Sequence, residues 1–177
     1  MGLPMEIESP SFTSADLEGF LRETVDHERT RLADRLERIS ARLADAVALM
    51  PPRAGPRPHG WDANDVLAHM VMVSKFYGVL VKRVGSGDVT EIDLMSFLQA
   101  RDPAVQPLTS LPASELVERA RREQRRTIEY LRGTDAVAML RQVKLFDGTS
   151  MTTLQLAQLP LCAHLEIHIE QYLAAAD

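Results

Sequence analysis

The sequence holds one cysteine, Cys162, so an internal disulfide and any CxxC metal or redox motif are excluded. A lone thiol fits a reducing compartment. Aromatic residues make up only 5% of the chain. No apolar run approaches the about 18 residues of a membrane-spanning helix. Positive charge is also in short supply. The formal net charge is −5, whereas non-specific binding to DNA or to an anionic membrane needs a cationic surface. The first ten residues, MGLPMEIESP, lack the basic and apolar regions of a signal peptide, and Glu6 stands where a myristoylation signal needs Ser or Thr. These absences lead us to expect a cytoplasmic protein with neither a nucleic-acid nor a membrane partner.

What is present favours helices packed on helices. The chain of 177 residues suits one domain, with 45% apolar residues to fill a core. Residues 1–13 read as a lead-in and 14–177 as a single domain. Four long segments carry apolar residues at steps of three and four. The first runs from Ser14 to Met50, with the stripe Leu17, Leu21, Val25, Leu32, Leu36, Ile39, Leu43 and Val47, and Thr13 with Asp16 resembles a capping box. PPRAGPRPHG, residues 51–60, ends it. The second starts at Asp62 as its cap and closes at GSGD, residues 85–88. A loose connection follows from Val89 to Leu111, with a short helix placed at Ile92–Gln99. The third spans Ala113 to Leu131, with Gly133 as its expected C-cap. Its basic run RARREQRR, residues 119–126, is interleaved with glutamates and reads as a solvated face. In residues 134–151, a hairpin turning at Asp147-Gly148 competes with an irregular connection, and we expect the latter. The fourth helix begins at Thr152 or Thr153 and runs to Ala175. Pro160 inside it calls for a kink or a restart. Together these patterns predict an all-α protein, a four-helix bundle with a long loose connection between helices 2 and 3.

Five histidines are present. His27 sits among charges, and His59 lies in the Pro-rich loop. His69 falls two turns into an apolar helix, near Val66, Val73 and Phe76. His164 and His168, in AHLEIHIEQYL, are one helical turn apart on a mostly apolar face shared with Gln171 and Tyr172. Such a pair can converge on one ion, and a third imidazole would complete a set suited to Zn, Ni, Fe or Cu. Three protein ligands leave positions open for water or substrate. Leu165 follows His164 where the zinc-protease motif has its general-base Glu, so that chemistry is excluded. Glu166 and Glu170 point to other faces, and Cys162 reads as a small buried hydrophobe. Asp65, one turn before His69, is a candidate to support a ligand as well as a helix-start charge. Tyr77 and Tyr172 either line a pocket or belong to the core.

Two motifs then resemble the DinB/YfiT-like superfamily over essentially the whole chain from residue 14. One is the Pro/Gly-rich loop, Trp61 and the helix carrying His69 (GWDANDVLAHM). The other is the closing helix with His164, His168 and Gln171 (HLEIHIEQ). The resemblance implies a four-helix bundle that binds a divalent metal, Zn or Ni, through His69, His164 and His168. It also implies a homodimer. Some relatives are transferases or isomerases that use mycothiol, bacillithiol or glutathione. The related mycothiol-dependent maleylpyruvate isomerases carry an additional C-terminal domain, and this chain ends four residues after Leu173. The resemblance thus implies a metal-dependent S-transferase that acts on a small-molecule substrate, a small electrophile, with a low-molecular-weight thiol as co-substrate. A metal-hydroxide hydrolase and a non-catalytic metal-binding bundle are the alternatives.

Overall fold

The computed structural model describes residues 13–49, 61–93, 105, 107–145 and 148–174. The expected short helix at 92–99, the Pro-rich loop with His59, and the lead-in up to residue 12 lie largely or wholly outside them. The fold is mostly helical, with one small two-stranded sheet.

Helix α1 spans Ser14–Leu49 and begins at a Thr13–Asp16 cap, in which the Thr13 hydroxyl accepts from the Asp16 N–H at 3.2 Å. Leu32, Leu36, Ile39, Leu43 and Ala46 bury one stripe at the expected steps. The stripe stops short at its N-terminal end. Leu17 and Leu21 are 55% and 57% exposed, because the first three turns of α1 extend past the elements that cover the rest.

Helix α2, Ala63–Ser86, starts with a full capping box between Asp62 and Asp65 and ends at Gly87, whose φ of 86° is the left-handed conformation a glycine adopts without strain. It is buried on more than one side (Val66, Leu67, Met70, Val71, Val73, Leu80, Val81, Val84), as befits a helix with neighbours on several flanks. Helix α3, Ala113–Gly133, packs along α2 and α1. Where α2 meets α3, Gly78 lies against the Thr127 hydroxyl and Gly85 against the Tyr130 hydroxyl, so closely that a β-carbon at either would overlap them. The outer face of α3 is solvated and internally paired, by Arg119–Glu115, Arg121–Glu118 and Arg126–Glu123. That agrees with the reading of the basic run.

Two expectations for the second half are corrected. Gly133 is the last residue of α3 rather than its cap. Thr134 takes the cap position in an extended conformation, because Asp135 immediately caps a further short helix, α4, Ala136–Leu140. The irregular connection is instead an antiparallel hairpin, β1 Gln142–Lys144 with β2 Ser150–Thr152, in the register Val143↔Met151. Gly148 supplies the positive φ its turn requires, at 82°. Asp147 lies outside the described residues. The hairpin ties the end of α2 to the start of the last helix: the Arg141 carbonyl accepts the Thr153 N–H at 2.8 Å, and the Arg141 guanidinium donates to the Gly85 carbonyl.

The last helix runs as α5, Thr153–Leu156, a π-helical segment, Ala157–Ala163, and α6, His164–Ala174. It opens on a Thr152–Gln155 capping box. Of the kink or restart expected at Pro160, the restart does not occur: the helical run continues through it. The missing N–H of Pro160 is absorbed by seven residues of wider π turns, after which α-helix resumes at His164. The segment packs on α1 and α2 and contributes Leu156, Leu161, Leu165, Ile169 and Tyr172 to the core. None of the helices among the described residues is long and apolar enough to cross a membrane.

Candidate metal centre

The structure brings together the three histidines that the sequence singles out. His69 enters from α2, and His164 and His168 from the first two turns of α6. Their burial follows from their neighbours. His69 lies between Ala68 and Met70 on a helix buried nearly all round and is 3% exposed. His168 precedes Ile169 and is 8% exposed, while His164 is half-buried. One nitrogen from each ring lies within 4.8 Å of the others. The Nε2 atoms of His69 and His164 are 3.4 Å apart. The ring of His168 lies 4.6 Å from that of His69 and 4.7 Å from that of His164.

That spacing tests the donor set. A hydrogen bond between two ring nitrogens is ordinarily shorter, about 2.7–3.2 Å. Two nitrogens each about 2.0–2.1 Å from one tetrahedral ion are about 3.3–3.4 Å apart. The His69–His164 separation matches the second geometry. Neutral imidazoles are also the donors that suit divalent transition metals over Mg or Ca. Among the described residues, this is the group of His, Cys, Asp or Glu side chains able to hold a metal ion.

Aromatic rings flank the cluster. Trp61, one residue ahead of the α2 cap, lies 5.0 Å from the His69 ring and 6.4 Å from that of His168, stacked on the latter. Tyr77 lies 6.3 Å from the His164 ring. Tyr77 is therefore a site neighbour, while Tyr172 is 1% exposed and belongs to the core. Gln171 Oε1 lies 2.8 Å from His168 Nδ1. The sequence places Gln171 on the histidine face but says nothing of that bond; its only signal is a polar residue three positions after a buried histidine.

The remaining candidates fall elsewhere. The Asp65 carboxylate accepts the Asp62 N–H at 2.9 Å, the helix-start role. His27 is exposed on α1. Glu166 bonds Arg35 on α1, which holds its carboxyl below the usual carboxylate range, and Glu170 pairs with Arg42. Cys162 is fully buried. Burial pushes its thiol up to about 12, the nearby Arg35 charge opposing this and Glu166 adding to it.

This helical architecture with a three-histidine cluster is of the DinB/YfiT-like kind. The chain matches the family model of the mycothiol maleylpyruvate isomerase N-terminal domain over residues 56–164, more than half its length, and it belongs to that family. The matched span contains His69 and His164 and ends four residues before His168. No curated protein and no solved structure matches the chain.

Proposed function

We propose that residues 14–177 form a DinB-like four-helix-bundle enzyme, a thiol-dependent S-transferase that acts on small electrophiles at a divalent metal held by His69, His164 and His168. The observation that carries this reading is the convergence of three ring nitrogens, from two helices, within 4.8 Å. Zn and Ni are the metals best suited to such a donor set. When bound, the ion would supply Lewis acidity that favours the thiolate form of a coordinated thiol. The chain's own residues do the rest. The three imidazoles hold the site, and Trp61 and Tyr77 give it apolar walls that keep water from the electrophile. The nucleophilic sulfur comes from a separate low-molecular-weight thiol. Cys162, the one thiol of the chain, is buried in the core with its pKa pushed up to about 12. The reading takes the protein as a cytoplasmic homodimer.

The test starts with metal content by mass spectrometry on tag-free protein, beside a His164→Ala/His168→Ala variant. About one transition-metal ion per chain, lost in the variant while helicity survives, is the expected result. Consumption of mycothiol, bacillithiol or glutathione against a small electrophile should then depend on the metal. Metal without thiol consumption would remove the transferase and leave a metal-binding bundle. No metal after incubation with Zn or Ni would remove both.

A further inference from the structure

We infer that Gln171 is a positioning residue that sets the tautomer of His168. It holds the ring proton on Nδ1, so that the other ring nitrogen, Nε2, meets His69 and His164 as a lone-pair donor. The inference rests on the metal-site reading for its consequence, but its core concerns one proton on one ring.

The observation is the 2.8 Å contact between His168 Nδ1 and Gln171 Oε1. An amide oxygen only accepts hydrogen bonds, so the ring nitrogen facing it must donate. In a neutral imidazole, a proton on Nδ1 leaves Nε2 as the acceptor. The opposite rotation of the amide would turn its NH₂ toward the ring and move the ring proton to Nε2. That proton would then point toward the other two imidazoles and block an ion from the third donor. Gln171 reaches the ring because it lies three residues after His168, the neighbouring position on the helix surface. Ligating histidines characteristically donate their second N–H to an oxygen in this way. Loss of that oxygen typically weakens metal affinity about 10–100-fold. Here the oxygen is a neutral amide on the same helix. A carboxylate at 171 would lack the donor end and could support only the tautomer with the proton on Nδ1.

Two variants test this, Gln171→Leu and Gln171→Glu. Two readouts are needed: the His168 tautomer in the metal-free protein by nitrogen-15 NMR of the imidazoles, and zinc affinity by competition with a chromophoric chelator. The wild type should show the Nδ1–H form, and Gln171→Glu should keep it and bind zinc at least as tightly. Gln171→Leu should move the ring toward the Nε2–H form and lose about 10–100-fold in zinc affinity. A merely structural glutamine would shift the melting temperature and leave the tautomer alone. An unchanged tautomer in Gln171→Leu overturns the inference, as does an unchanged zinc affinity. If the wild type binds no zinc, the proposed function falls, and the tautomer in wild type against Gln171→Leu still decides the role of Gln171.

Discussion

On one face of α6, Glu166 and Glu170 reach α1 and meet Arg35 and Arg42; on another, His164 and His168 reach α2 and meet His69. The first face joins opposite charges. Arg35 is bidentate on Glu166, at 2.8 and 2.5 Å, and the pair stands 28% and 35% exposed. Each group there is answered by its complement within the chain. The second face joins three groups of one kind, two of them more than nine-tenths buried. Imidazoles have no opposite charge to pair with as the carboxylates and guanidiniums do, although one ring approaches another and His168 also meets Gln171. The two faces therefore divide the work of one helix. The carboxylates fasten it to α1, and the imidazoles form a cluster able to hold a metal ion.

The largest expected effect breaks the imidazole face. Zinc at about 100 times its dissociation constant should stabilise the wild type by about 2.7 kcal/mol, raising its melting temperature by roughly 5–10 °C. In the His164→Ala/His168→Ala variant this zinc-dependent rise should vanish while the far-UV circular dichroism of the helices remains. A scan with and without zinc checks it. A variant that still responds to zinc would mean that the ion sits elsewhere and that the two faces are not distinct in kind.

A smaller effect should come from the carboxylate face. Arg35→Met removes a part-buried bidentate pair, a better geometry than most surface ion pairs, and should cost about 1 kcal/mol, or roughly 2–4 °C in melting temperature. The zinc-dependent rise should survive intact. Loss of that rise in Arg35→Met would show that the strap to α1 positions the histidines, merging the two faces into one device.

The comparison also shows what a sequence can and cannot reveal. The histidine face was readable because periodicity places His164 and His168 together, and because the apolar neighbours of His69 turn it inward. The Asp62 cap and the Gly87 stop were readable because each fills a specific backbone need. The exposure of the apolar N-terminal end of α1 is not legible in the sequence, for a physical reason. A stripe of Leu17 and Leu21 defines a face, yet nothing in the pattern says that another helix will reach it. The hairpin was missed because three-residue strands contain too little alternation to outweigh an irregular loop. At Pro160 the sequence says only that one hydrogen bond is lost; that the chain passes it in π turns is seen in the structure alone. The Gln171 bond depends on a side-chain rotamer, which no spacing rule supplies.

Next in size is Arg42→Met. Arg42 and Glu170 are 48% and 61% exposed, so solvent screens the pair even though its atoms approach to 2.5 Å. Its removal should change stability by no more than about 0.5 kcal/mol, measured by urea denaturation. A cost equal to that of Arg35→Met would show that exposure is a poor guide to what fastens α6.

The smallest expected effect is no reaction at all, at Cys162. This thiol belongs to neither face. It ends up in the core beside the start of α6, with a pKa pushed up to about 12 chiefly by burial. Only the thiolate attacks an alkylating agent, so at pH 8 roughly one thiol in ten thousand would be reactive even if reagent could reach it. Iodoacetamide should leave the native protein unlabelled over the time in which it labels the urea-unfolded chain to completion, read by intact-protein mass. The direction with pH follows from the sign of the shift: protection persists through the mildly alkaline range in which an ordinary cysteine ionises. Rapid native labelling would place a competent sulfur two residues before His164 and six before His168. The chain could then supply its own nucleophile, and the argument for an external thiol would lose its footing.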